Sequence, residues 1–361
     1  MAKFHQLKVA DVRRETADCI SLAFEVPASL QAEYTFKPGQ NLTLRTIVDG
    51  EDLRRSYSIC SAPGEGELRV AIKKIPHGKF SSFANEKIKK GSRLDVMTPT
   101  GSFVLKPDAR LKRHYVAFAA GSGITPVFSM LKAVLEAEPL SRFTLFYGNK
   151  STTSIIFREA IEGLKNRFLD RFSTYHILSK EKSDALLFNG RINSEKCKVF
   201  FEKLLDIHAI DQFLLCGPES MIHEVREYLL GQGVDLKKIH FELFTTPATR
   251  IADTLPNGNS QKETDHSVSR VHIKSDGLTF DFEMPRVNES ILDAALRHGA
   301  DLPFACKGGV CTTCKAKLLE GEVRMDVHYG LEEEEIAQGF VLTCQSHPVT
   351  EEVTVDYDQA V

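Results

Sequence analysis

Cys306-Lys307-Gly308-Gly309-Val310-Cys311-Thr312-Thr313-Cys314, followed after 29 intervening residues by Cys344, is the stretch that decides how the carboxyl-terminal part of this chain folds. Three thiolates from one short loop and a fourth from a distant strand is the ligand spacing of a plant-type [2Fe–2S] cluster. Anionic sulfurs need backbone N–H groups turned toward them, and Gly308 and Gly309 let a tight loop do so without a Cβ clash. Two other readings of the cysteines compete. A structural zinc usually takes two short Cys/His pairs. A disulfide framework needs an oxidising compartment, and Met1–Ala10 lack the basic start and apolar core of an export signal. The other four cysteines, Cys19, Cys60, Cys197 and Cys216, are scattered as reduced thiols would be.

Upstream of this loop the pattern changes twice. At 361 residues, with 42% apolar and 26% charged side chains, two or three domains are expected. Residues 1–106 read as β-rich: Phe4–Val12, Ile20–Val26, Asn41–Val48, Leu68–Lys73 and Arg93–Met97 are separated by turns such as Lys37-Pro38-Gly39, with a single helical stretch at Ser81–Lys89. That spacing predicts a small antiparallel barrel. Over 107–245 short apolar runs (Tyr115–Ala119, Phe143–Tyr147, Ser173–Leu178, Gln212–Cys216, Lys238–Phe241) alternate with helical patterns (Pro126–Ala137, Ile155–Phe168, Glu219–Leu230), which predicts a parallel doubly wound sheet. Residues 246–267 are polar and aperiodic and read as a flexible linker to a final domain at 268–361.

Charge is unevenly divided. From Val268 onward there are 17 acidic and 8 basic side chains, a net of −9, against 32 acidic and 38 basic before it, a net of +6. This suggests an acidic electron-carrying domain attached to a mildly basic body, with no sign of nucleic-acid binding. The most apolar stretch, Tyr115–Leu135, is interrupted by Gly121, Gly123 and Pro126, so no membrane span is expected and the chain is read as cytoplasmic.

Three further motifs carry chemistry. Arg55-Ser56-Tyr57-Ser58-Ile59-Cys60-Ser61, read as lying after a barrel strand, offers a forked donor for a phosphate, an aromatic face and a hydroxyl for a ring edge. Alone it reads equally as the solvent face of a strand, but Gly78-Lys79-Phe80-Ser81 leads into the barrel segment's helix, and a helix start binds phosphate. Gly121-Ser122-Gly123-Ile124-Thr125-Pro126 opens the first helix of the doubly wound segment, with Thr125 suited to N-cap and Pro126 to N1. Its glycines allow a pyrophosphate to approach, or simply pack a turn. Cys216-Gly217-Pro218 ends a later strand, where such sheets hold ligands, although a lone cysteine there is often a small buried hydrophobe. After the second strand comes Tyr147-Gly148-Asn149-Lys150-Ser151, with no acid for a ribose hydroxyl. Lys150 and Ser151 there suit a 2′-phosphate, or form a solvated turn.

Taken together, these motifs resemble the ferredoxin–NADP⁺ reductase superfamily, in the order flavin, nicotinamide, then [2Fe–2S]. Cys-Lys-Gly-Gly-Val-Cys-x-x-Cys and Tyr147–Lys150 are similar, more narrowly, to reductase components that serve bacterial ring epoxidases. The resemblance implies an antiparallel β-barrel flavin domain, an α/β nicotinamide domain and an α+β (β-grasp) ferredoxin domain. It implies that Arg55, Tyr57, Ser58, Ser61, Lys73, Gly78, Lys79, Phe80 and Ser81 hold FAD (or, in relatives with the same core, FMN). Gly121, Gly123, Thr125, Pro126, Lys150, Ser151, Gly217 and Pro218 would meet NADPH, or less well NADH. Cys216 and Ser58 would flank the hydride-transfer centre, and Phe244 would shield the flavin. Cys306, Cys311, Cys314 and Cys344 would hold the cluster. The expected activity is electron transfer from NADPH through flavin and cluster to a separate oxygenase, a diiron epoxidase. A reductase of a Rieske dioxygenase or other monooxygenase, or a zinc-binding interaction protein, are the alternatives.

Overall fold

The computed structural model describes residues 3–182, 185–244, 267–287 and 289–359. The linker expected at 246–267 lies, apart from Ser267, outside the described residues. The chain divides into two compact units, one built of Phe4–Leu53 and Tyr57–Phe244 and the other from the carboxyl-terminal part. No helix of the described residues is long and apolar enough to cross a membrane.

The first unit begins with six strands, β1 (Phe4–Thr16), β2 (Cys19–Glu25), β3 (Asn41–Val48), β4 (Glu51–Ser58), β5 (Leu68–Lys73) and β6 (Arg93–Met97). They form one sheet in the order β4-β3-β6-β1-β2-β5. A bridge between Ile59, just past β4, and Val70 of β5 brings the two edges of the sheet together, which makes it a barrel. Alternate residues Leu7, Val9, Leu22, Leu44, Val70, Ile72 and Val96 fill its interior, as period-2 patterning requires. Helix α1 (Lys79–Lys87) covers one mouth by burying Phe80 and Ala84. One boundary differs from the sequence reading. Arg55–Ser58 lies within β4 rather than after a strand, with Leu53 on the barrel-core face and Ser58 on the opposite face, toward Glu242.

The rest of this unit is a five-stranded parallel sheet, β7 (His114–Ala120), β8 (Arg142–Asn149), β9 (Phe172–Leu178), β10 (Gln212–Gly217) and β11 (Ile239–Leu243), in the order β11-β10-β7-β8-β9. The chain runs from β7 outward to β9, then returns to the other side of β7 for β10. That reversal creates a switch point between β7 and β10 at the carboxyl ends of the strands. Helices α2 (Ile124–Ala137), α3 (Arg158–Arg167), α4 (Ser194–Lys203) and α5 (Glu219–Gly231) flank the sheet. The sequence reading missed α4, a charged segment that buries only Cys197 and Phe200 and is capped by the Asn193 side chain on the Lys196 N–H. Helix α2 also starts earlier than expected. A tight turn at Gly121–Gly123 runs straight into Ile124, so Gly123 is the N-cap and the Thr125 hydroxyl donates back to the Ser122 carbonyl at 3.0 Å.

The second unit is a mixed sheet, β12 (Val268–Ser275), β13 (Leu278–Pro285), β14 (Lys315–Glu320), β16 (Phe340–Leu342) and β18 (Glu352–Asp356), ordered β13-β12-β18-β14-β16, with a small pair β15 (Val323–Met325) and β17 (Ser346–Pro348). Among the described strands of this unit only β12 and β18 pair in parallel. The helix Ile291–Arg297 lays Ile291, Leu292, Ala294 and Ala295 into the same core as Val271, Ile273, Val353 and Val355, which is the β-grasp arrangement.

Candidate functional site

At the carboxyl ends of β10 and β11 the register places Cys216 directly beside Glu242. The end of β4 reaches the same place, and the Ser58 hydroxyl donates to Glu242 Oε2 at 3.1 Å. Little of this centre meets water: Ser58 is 4% exposed, Cys216 is fully buried, and Glu242 is half-buried beside them. Burial lifts the Glu242 carboxyl to about 8, against a smaller opposing effect of the Ser58 hydrogen bond. Burial, with the Glu242 charge added, holds the Cys216 thiol well above its ordinary range, so it is a neutral thiol and no thiolate nucleophile. The arrangement can therefore present a hydroxyl, a thiol and a protonated carboxyl to one bound group. Glu242 was not foreseen, because the strand expected at Lys238–Phe241 stops before it, and only the register with Cys216 reveals it.

Around this centre the expected flavin residues separate into two sets. Arg55, Tyr57 and Ser58 share β4, and the Tyr57 ring rests against Phe80 of α1 at 5.6 Å between centroids. Helix α1 opens at Gly78 with no side-chain cap, and Lys79 is paired with Glu51. An aromatic face, a forked guanidinium and an uncapped start of a nine-residue helix suit a planar group with an anionic tail. Ser61 and Ser81 are turned elsewhere. Ser61 Oγ accepts the Arg69 N–H and its carbonyl accepts from Ser129 of α2, while Ser81 Oγ accepts from the Ile75 N–H and donates to the Gly78 carbonyl. These hydroxyls brace the turns around the helix start. Gly78 is needed for that turn, since a Cβ there would fall 2.4 Å from Ile75 Cγ1.

The two glycines before α2 also do different work. Gly123 lies so close to β10 that a Cβ would sit 2.1 Å from the Cys216 carbonyl oxygen, so its role is packing. Gly121 has φ +54° and only Lys73 Nζ near the place of its missing side chain, at 3.9 Å, which leaves its backbone open to an anionic ligand beside a lysine. Tyr147 fixes this loop by donating to the Gly121 carbonyl at 2.9 Å. Gly217 packs against Ala120, Pro218 precedes α5, and Phe244 follows β11 with 38% exposure.

Past β8 the geometry reassigns the donors. Lys150 is exposed, but the Ser151 N–H is taken by Ser154 Oγ and its hydroxyl pairs with Thr153. The donors aimed outward belong to Thr152, whose N–H and Oγ1 both bind the Glu181 carboxylate, at 2.7 and 2.6 Å. Glu181 comes from the loop after β9, which continues the strand pairing through Ser179 N–H to the Asn149 carbonyl and Lys180 N–H to the Lys150 carbonyl. No acid follows β8 in sequence, and the fold brings one beside Thr152 from the loop after β9. A cleft of about 1160 Å³ opens beside Thr152 and Arg158, across from Arg13, Arg14 and Lys132, and none of Ser58, Cys216 or Glu242 lines it.

In the second unit the cysteine loop is tight and amide-lined. Lys307 and Gly309 take positive φ of 49° and 73°, and a Cβ at Gly309 would lie 2.6 Å from Val327 Cγ2. Cys306 Sγ accepts the N–H groups of Gly308 at 3.3 Å and Cys311 at 3.4 Å, which favours the thiolate a metal needs. The Cys306 sulfur also meets the Cys311 and Cys344 thiols, and Cys344 meets Cys314, so loop and distant strand end converge. Thr313 Oγ1 is buried there beside the Cys311 thiol. Among the described residues no three such side chains close on a single-ion site. Four thiols that converge pairwise suit a two-iron cluster better than a tetrahedral zinc.

Comparison with known proteins agrees with this layout. Residues 6–105 match the oxidoreductase FAD-binding domain, residues 118–227 the oxidoreductase NAD-binding domain and residues 273–349 the 2Fe-2S iron-sulfur cluster binding domain. The chain is 44% identical over 358 residues to a subunit of the 1,2-phenylacetyl-CoA epoxidase of Escherichia coli (strain K12), covering 99% of each. It is 30% identical to the ferredoxin reductase component of the 3-ketosteroid-9-alpha-monooxygenase of Rhodococcus rhodochrous, over 97% of this chain and 96% of that one. Phthalate dioxygenase reductase, described as a modular structure for electron transfer from pyridine nucleotides to [2Fe–2S], shares the fold with a TM-score of 0.58 over 98% of both chains at 24% identity. With the three domains in this order and identity along its whole length, the chain is an NAD(P)H-dependent oxidoreductase and belongs to the ferredoxin–NADP⁺ reductase superfamily, in the branch that ends in a 2Fe–2S domain.

Proposed function

We propose that this protein takes electrons from NADPH, and less well from NADH, and passes them through FAD and a [2Fe–2S] cluster to a separate oxygenase, the diiron epoxidase of phenylacetyl-CoA. The observation that carries the partner is the 44% identity, spread over 99% of both chains, with a component of the phenylacetyl-CoA epoxidase. FAD is favoured over FMN by the match of residues 6–105 to the FAD-binding domain. Bound flavin supplies the exchange between a two-electron hydride and the single electrons that an iron–sulfur cluster accepts. The chain's own residues position and insulate. Ser58 offers a hydroxyl to the ring edge and at the same time fixes Glu242. The Glu242 carboxyl keeps its proton through neutral pH and holds it at the centre, behind Cys216, whose neutral thiol fills the space without adding charge. Lys73 and the Gly121 backbone form a seat for a pyrophosphate. Cys306, Cys311, Cys314 and Cys344 hold the cluster, with the Gly308 and Cys311 amides steadying its charge.

The test is reconstitution. Purified protein mixed anaerobically with NADPH should bleach first at flavin and then at cluster wavelengths. With the oxygenase component, oxygen and phenylacetyl-CoA it should then give one epoxide per NADPH, read by mass spectrometry. Rapid reduction by NADPH without product in the complete mixture would keep the reductase and remove this partner.

A further inference from the structure

Three strand ends meet at the end of the second unit's sheet that carries the cysteines. Cys314 stands just before β14, Thr343 just after β16 and Tyr357 just after β18. Both β16 and β18 run antiparallel to β14, so the start of β14 lies beside their ends. There the Tyr357 and Thr343 hydroxyls are 2.6 Å apart, and Thr343 Oγ1 is 3.1 Å from the Cys314 carbonyl oxygen. Both side chains are buried, so water does not compete for these groups.

The direction of this chain of bonds follows from its protons. A threonine hydroxyl carries one proton, and a carbonyl can only accept. Thr343 therefore gives its proton to Cys314, and the short contact with Tyr357 is a bond that Tyr357 donates. The Thr343 N–H is aimed at the same carbonyl, at 3.2 Å. Two hydroxyls and an amide thus turn their positive ends toward the residue that carries the third cysteine ligand. In a dry site such bonds strengthen one another. The contact also joins two ligand segments, because Thr343 immediately precedes Cys344. Both partners are fixed by their backbones: the Thr343 carbonyl accepts the Leu292 N–H at 3.1 Å, and the Tyr357 N–H donates to the Lys274 carbonyl of β12 at 2.9 Å.

We propose that Tyr357 is a positioning residue that sets the reduction potential of the iron–sulfur cluster, acting through Thr343 and the Cys314 backbone. This rests on the proposed ligation by the four cysteines and adds to it a residue far from the cysteine loop in sequence. Each reduction brings one electron from the flavin and no proton from these hydroxyls, so the cluster gains one negative charge. Donors aligned toward Cys314 favour that more negative form, as hydrogen bonds around a cluster do. Without the Tyr357 hydroxyl the alignment weakens and the potential falls.

The experiment titrates the full chain, carrying flavin and cluster, with dithionite and mediator dyes, and reads the reduced cluster by electron paramagnetic resonance. Tyr357→Phe, which removes only the hydroxyl, should shift the one-electron equilibrium about threefold toward the oxidised form, or about 28 mV at about 59 mV per tenfold. Thr343→Val should shift it about tenfold, or about 59 mV. Tyr357→Phe added to Thr343→Val should change nothing more, because the link is already gone. Thr343→Ser, which keeps the hydroxyl, should stay within about twofold of wild type. The flavin potential should not move in any of them. An unmoved or higher cluster potential in Tyr357→Phe would overturn the proposal, as would shifts of the two single variants that simply add. Loss of iron and sulfide from Tyr357→Phe would overturn it too, and would make the hydroxyl a brace of the fold. If anaerobically purified wild-type protein carries no cluster, the ligation itself is wrong and this inference falls with it.

Discussion

Glu242 carries the least comfortable charge in the first unit: a carboxyl desolvated at a sheet edge with one hydroxyl beside it, titrating near 8 instead of 4.5. The sign of its effect on stability follows. Below pH 4.5 folded and unfolded chains both hold the proton; between 4.5 and 8 only the folded chain does, so raising the pH favours unfolding by about 1.4 kcal/mol per unit in that window. Glu242→Gln, which never ionises, should match wild type in thermal midpoint near pH 5 and exceed it increasingly up to pH 8. Parallel profiles would mean that the carboxyl is not held protonated. For Arg55→Ala the expected loss is about 1.5–3 kcal/mol of flavin affinity, as for a charged hydrogen bond, measured by flavin release on dilution. Unchanged flavin retention would remove Arg55 from the phosphate. At this scale the sequence shows residues whose type and spacing are unusual (the four cysteines, Arg55 with Tyr57, Gly121) and hides those that matter by register. Glu242 and Glu181 are ordinary surface acids until β11 is laid beside β10 and the loop after β9 beside Thr152.

Strands and helices were legible where one pattern dominates. Asn41–Val48, Leu68–Lys73 and Arg93–Met97 coincide with β3, β5 and β6, because alternation and flanking turns leave no other reading. β4 was hidden since Glu51-Asp52 at its start and Arg54-Arg55 in its middle dilute its apolar positions, and α4 because only two of its ten residues are buried. In the parallel sheet the strands are buried on both faces, and the register stacks aromatics into a row that propensity does not foretell. Phe146 of β8 lies 5.0 Å from Phe118 on β7, 5.2 Å from Tyr175 on β9 and 4.3 Å from Phe200 on α4. Phe146→Ala should cost about 3–5 kcal/mol, the range for emptying a buried aromatic site, and lower the thermal midpoint with secondary structure retained at low temperature. An unchanged midpoint would show that α4 closes over the gap. The cysteine loop is the opposite case, an element whose expected ligands follow from spacing alone. Iron and acid-labile sulfide are expected at about two each per chain, and stoichiometric zinc in anaerobically purified protein would contradict it.

For the molecule as a whole the division of charge is the feature with functional reach. Residues 268–361 carry a net of −9 and the rest a net of +6, so the part that holds the cluster is strongly acidic. Single electrons leave the protein from the cluster, and on the proposed function an oxygenase must meet that acidic surface. Opposite charge on the partner would speed the encounter and orient it, and such steering is screened over about 8–10 Å near physiological salt. The donor side differs, because hydride transfer to the flavin centre takes place within one compact unit, among buried groups that salt screens weakly. The expected outcome is a separation of the two half-reactions. Turnover coupled to the oxygenase should fall steadily as salt is raised, while the rate of flavin reduction by NADPH in stopped flow changes much less. If coupled turnover is flat from low to high salt, the acidic surface does not steer docking and serves solubility alone. If both half-reactions fall together, salt acts on NADPH binding as well, and the docking argument loses its support.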